Sequence, residues 1–145
     1  MGLMTKYLLA FMVTAACGGS QQDVAVRGTD MDLARIQGDW EGTYTGTESG
    51  RSGPVKFSLQ LGRHTADGEV VMNGATPLKI EFVNIKKDEV KGTIAPYTDP
   101  SCSCEVSTTF TGTLGDNSIN GQFETKVSKT GQVQGGTWSV ARHHE

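Results

Sequence analysis

Polar and apolar residues alternate through most of this chain, and one short pattern keeps returning. Trp40-Glu41-Gly42-Thr43-Tyr44 reads apolar, polar, glycine, polar, apolar. The same order recurs in Val90-Lys91-Gly92-Thr93-Ile94, Phe110-Thr111-Gly112-Thr113-Leu114 and Ile119-Asn120-Gly121-Gln122-Phe123. A last copy, Val133-Gln134-Gly135-Gly136-Thr137-Trp138, carries one extra residue. In a strand, alternate residues face one side, so the apolar residues share a face with the glycine while the polar ones meet water. The pattern predicts half-buried antiparallel strands, each with a glycine on its inner face.

Eight such strands are expected, over residues 38–46, 55–61, 69–73, 78–85, 89–95, 105–114, 118–127 and 132–142. Turn residues separate them, among them Ser49-Gly50-Arg51-Ser52-Gly53-Pro54, Asn73-Gly74, Lys87-Asp88 and Gly115-Asp116-Asn117. Joints this short connect neighbours, so the topology reads as a meander. Such a meander can fold over as a sandwich or close as a barrel. Closure removes the exposed edges, and the inner glycines permit the sharp coiling that it needs. The expected fold is therefore all-β, a small antiparallel up-and-down β-barrel of about eight strands. Its inward positions include Tyr44, Phe57, Leu59, Ile80, Phe82, Phe110, Phe123 and Trp138, which are the candidates for a ligand cavity; Leu61, Met72 and Val133 share their parity.

The chain opens differently. Lys6 precedes the apolar run Tyr7-Leu8-Leu9-Ala10-Phe11-Met12-Val13, then small residues Thr14-Ala15-Ala16 and Cys17. The run is about ten residues, short of the ~20 that span a bilayer, and with its flanks reads as a signal peptide over 1–16. Residues 17–35 then read as a tether, with little order to about residue 30 and one helical turn near 31–35 capped by Thr29 or Asp30. Residues 36–145 form the barrel domain.

Two resemblances follow from these residues. Small residues directly before Cys17 resemble the bacterial lipobox, whose cysteine is acylated with palmitate-type chains and becomes the mature N-terminus. That implies an exported protein of the bacterial cell envelope, with the membrane as partner through its N-terminal lipid. Gly38-Asp39-Trp40 after a helical turn, with Arg142 near the end of the last strand, resembles the calycin group of lipocalins, fatty-acid-binding proteins and avidin-like barrels. The resemblance implies that Gly38, Trp40 and Arg142 close one end of the barrel, the guanidinium lying against the indole.

The remaining chemistry is sparse. The net charge of −3 comes without a basic cluster, which argues against nucleic acid as a partner. Cys102-Ser103-Cys104 admits three readings: a disulfide that staples its loop, a redox site, or a soft-metal site. The staple is preferred, and no metal site or cofactor is expected, since no Cys or His pair elsewhere completes a ligand set. His143-His144-Glu145 reads as a frayed polar end. No nucleophile, base and orienting group can be assembled, so catalysis is not expected. Two function classes remain. One is a lipid-anchored, lipocalin-like barrel that binds a small hydrophobic ligand. The other is a solid barrel acting through its loops at 46–54 and 95–104 on an envelope protein, as a hydrolase inhibitor or a structural factor.

Overall fold

The computed structural model describes residues 22–72, 76–100 and 102–143. The signal peptide, Cys17, the Asn73-Gly74 turn and His144-Glu145 lie outside the described residues, as does the side chain of Met72. Among those described are ten strands and one short helix: β1 (Gln22–Arg27), α1 (Asp30–Arg35), β2 (Gly38–Gly46), β3 (Ser52–Leu59), β4 (Thr65–Met72), β5 (Thr76–Leu78), β6 (Ile80–Lys86), β7 (Glu89–Asp99), β8 (Cys104–Leu114), β9 (Ser118–Val127) and β10 (Val133–Arg142).

The sheet closes on itself. β2 pairs antiparallel with β10, joining the two ends of the meander, from Trp40 opposite Arg142 to Gly46 opposite Gly136. Nine strands make the ring, in the order β1, β6, β7, β8, β9, β10, β2, β3, β4 and back to β1, with β5 paired to the far half of β4. The all-β barrel is as the alternation predicts, but the strand count and the topology are not. A closed ring with every neighbour antiparallel must hold an even number of strands. Nine therefore force one parallel pair, and it is β1 against β6, with Ala25 opposite Phe82 and Arg27 opposite Asn84.

β1 falls in the stretch 17–35 that reads as a tether, which corrects that boundary. It wedges between β4 and β6, and Val24 and Val26 are 0% and 3% exposed. The polar residues around this valine pair hide a strand that is too short to stand out. The other strands shift modestly. The second begins at Ser52, the third begins at Thr65, the fourth divides at Lys79, and the fifth runs on to Asp99.

One end of the barrel is shut. Thr29 caps α1, its hydroxyl accepting from the Asp32 amide at 3.1 Å, and Asp30, Asp32 and Arg35 sit at the ends that the helix dipole favours. The helix is fastened to the β6–β7 turn, where Arg35 donates to the Lys87 carbonyl (2.9 Å) and to Asp88 (2.6 Å). Leu33 and Ile36 are thereby buried beneath the ring. Just above them lies a packed floor of Trp40, Leu59, Val90, Leu114 and Val140.

Candidate ligand cavity

Four aromatic rings of the barrel pack on glycines of its wall. Each of four rings faces a glycine directly across the ladder: Phe110 opposite Gly92, Phe123 opposite Gly136, Trp138 opposite Gly121 and Tyr44 opposite Gly53. In every pair, a Cβ built on the glycine would collide with the ring. The rings thus lie over backbone, against the wall. Edge-on contacts lock them in pairs, Tyr44 with Phe123 at 5.9 Å and Phe110 with Trp138 at 5.7 Å between centroids. Their polar atoms also turn to the wall. Trp138 Nε1 donates to the carbonyls of Thr111 (3.1 Å) and Gln122 (3.2 Å), and the Tyr44 hydroxyl donates to that of Val71 (3.1 Å).

A cavity of about 130 Å3 remains between the rings. It runs from the floor at Ile36 and Trp40 to the opposite end of the barrel, where the lining becomes polar at Ser49, Arg51, Asp99 and Gln134. Of the expected cavity residues, Tyr44, Phe57, Ile80, Phe110, Phe123 and Trp138 line it. Leu59 is 2% exposed but lies in the floor, outside the lining. Phe82 is a correction. The register with β7 slips between Ile80 and Phe82, so Val83 takes the inward place and Phe82 turns outward, where the Arg27 guanidinium stacks on it at 4.3 Å. Leu61 and Val133 are corrections too, 69% and 50% exposed, because one lies beyond the end of β3 and the other at the outer tip of β10.

The open end carries an ion pair that the alternation does not announce. Arg51 precedes β3, and Asp99 is the last residue of β7, strands that are not neighbours in the ring. Their side chains meet in a two-pronged contact, Nη1 to Oδ2 at 2.9 Å and Nη2 to Oδ1 at 2.7 Å. They are 20% and 10% exposed, so the pair forms a partly buried crossbar. The hydrogen bonds to Asp99 hold Arg51 above the ordinary arginine value. Beside it, burial and then the negative charge of Asp99 push the Tyr97 hydroxyl up from its usual value. Thr108 and Thr125 share a hydroxyl hydrogen bond of 2.7 Å deeper in the lining.

Asp99 is also tied to the cysteines. Cys102 and Cys104 are joined by a disulfide, with Cα atoms 5.1 Å apart. The Cys102 amide donates to the Asp99 carbonyl at 3.3 Å, and Asp99 faces Cys104 across the ladder. The bridge thus closes the turn that carries one half of the crossbar.

At the shut end, the Arg142 guanidinium lies 4.5 Å over the Trp40 ring and donates to the carbonyls of Gln37 (2.7 Å) and Arg35 (2.8 Å). Trp40 Nε1 donates to the Ile36 carbonyl at 2.9 Å. Gly38, at φ 116°, brings the backbone against the Arg142 side chain in a conformation that a residue with a Cβ rarely adopts. His143 is not frayed, which corrects that expectation. Its amide donates to the Asp39 carbonyl (2.7 Å) and its ring meets Glu41 at 2.6 Å.

Among the described residues no helix is long and apolar enough to cross a membrane, and no three His, Cys, Asp or Glu side chains gather as a metal site. Comparison with protein-family models, with curated proteins and with solved structures finds no match to this chain.

Proposed function

We propose that this chain is a binding module, a lipid-anchored protein of the bacterial cell envelope whose barrel takes up a small apolar molecule. The cavity carries the reading. Packed barrels fill their interiors with side chains, whereas here the rings are laid on glycines and about 130 Å3 stays open between them. The lipobox-like residues before Cys17 support the anchor and the envelope location. Gly38 and Trp40 with Arg142 support kinship with calycin barrels, since these residues meet at one end of the ring.

Native mass spectrometry of the protein secreted from a bacterial host with Cys17→Ser tests this. A small bound mass, lost on denaturation, supports the binding module and gives its cargo class. The bare chain mass, under conditions where a control carrier keeps its ligand, overturns it and moves the function to the loops at 46–54 and 95–104.

A further inference from the structure

The cavity constrains both the size and the charge of its occupant. Its volume of about 130 Å3 is close to that of an engineered apolar cavity of about 150 Å3 that stays dry and takes benzene. Pockets for drug-sized molecules span roughly 300–1,000 Å3. One six-membered ring, or a compact chain of similar bulk, fits the space here, and a long acyl chain does not.

The polar atoms deep in the lining are bonded within the protein, and Arg51 and Asp99 are the charged side chains that line it. The indole N–H and the Tyr44 hydroxyl donate to wall carbonyls, the two threonine hydroxyls bond to each other, and Arg51 is matched by Asp99. Among the described residues, the buried side-chain nitrogen or oxygen without a partner is Arg142 Nε, at the shut end and outside the lining. A charged ligand entering this space would lose its hydration and gain a counter-ion only by breaking the crossbar. An anion that took Arg51 would break its two-pronged contact with Asp99, and a cation that took Asp99 would break the same contact. Either outcome costs a partly buried pair its mutual attraction, which is unfavourable. An uncharged ligand meets no such cost.

We infer that the cavity selects a small uncharged molecule, a single aromatic ring or compact hydrocarbon with at most one neutral polar group, and that the Arg51–Asp99 pair is what rejects charged analogues. This rests on the binding-module reading and names its ligand class. The pair acts by its charge balance. Removing one charge should therefore change which ligands are admitted more than it changes the fit of the ring.

Titration calorimetry of the full chain carrying Cys17→Ser, with four probes of one ring size, tests both statements. Toluene and benzyl alcohol are neutral; benzoate and benzylammonium carry opposite charges. Binding of the neutral pair, with both ions about tenfold weaker or more, is the expected result. Benzoate or benzylammonium binding as tightly as benzyl alcohol would overturn the neutral-ligand inference and leave the binding module standing. Binding of none of the four, by protein with a native near-ultraviolet spectrum, would remove both. Asp99→Asn keeps the shape and removes the negative half of the pair. It should raise benzoate affinity about tenfold relative to benzyl alcohol. An equal change for the two probes would show that the pair is not the selector.

Discussion

The indole of Trp138 occupies the place where a side chain on Gly121 would have to go. The two are direct partners across β9 and β10, and a Cβ on Gly121 would lie 2.6 Å from Nε1 and 2.7 Å from Cε2 of the indole. That Cβ would also strike the Thr111 carbonyl oxygen, a backbone atom of the neighbouring strand β8.

Gly121→Ala should therefore cost about 1–3 kcal/mol, far more than one added methyl on an open strand face. The ring would be pushed off the wall and into the cavity. Denaturant unfolding gives the loss of stability, and tryptophan fluorescence reports the displaced ring. A variant with wild-type stability and spectrum would contradict the packing of rings on glycines.

Much of the barrel is legible in the sequence, for a physical reason. From Gly38 to Arg142, one face meets water and the other does not, so polarity repeats every two residues and turn residues mark the ends. The pairing of Trp40 with Arg142 follows from parity and a resemblance together. Phe82 escapes because the register slip after Ile80 needs no glycine and leaves no mark in the residues. Val24 and Val26 do alternate, but two valines between Asp23 and Arg27 weigh little beside the Gly, Ser and Gln before them. The crossbar is the least legible part, since Arg51 and Asp99 are brought together only by closure of the ring.

Arg142 joins the last strand to the segment before β2, through two carbonyls and one ring face. Arg142→Met keeps the bulk and loses all three contacts, and should destabilise the protein by about 2–4 kcal/mol. Arg142→Lys keeps the charge but not the two-pronged reach, so it should fall between the two. Unfolding midpoints for the three proteins give the order, and equal midpoints would refute it.

Tyr97 gives a stability change on the alkaline side. Burial raises its folded value above the ordinary one of about 10. For a group raised in this way, its contribution to stability is complete below the unfolded value and is lost as pH rises through the folded value. Phenolate absorbance should show one tyrosine titrating later in the folded protein than in the unfolded one. Tyr97→Phe should remove that late step and lessen the loss of stability above about pH 10.

Val24 is fully buried in β1. Val24→Ala should cost about 2 kcal/mol, where the same change in an unstructured tether would cost nothing measurable. Thermal unfolding of the two proteins decides between a strand and a tether.

The wedge of β1 sets the width of the ring without lending Val24 or Val26 to the cavity lining. Val24 and Val26 are outside the lining, yet β1 spreads β4 from β6 and adds a ninth stave to a cylinder that the meander would otherwise close with eight. Barrel diameter grows roughly in proportion to strand number, so a ninth stave widens the interior beyond what eight would enclose. Capacity in this protein is thus governed from outside the space it measures. Substitutions at Val24 or Val26 would change the width of the ring without altering a residue of the cavity lining.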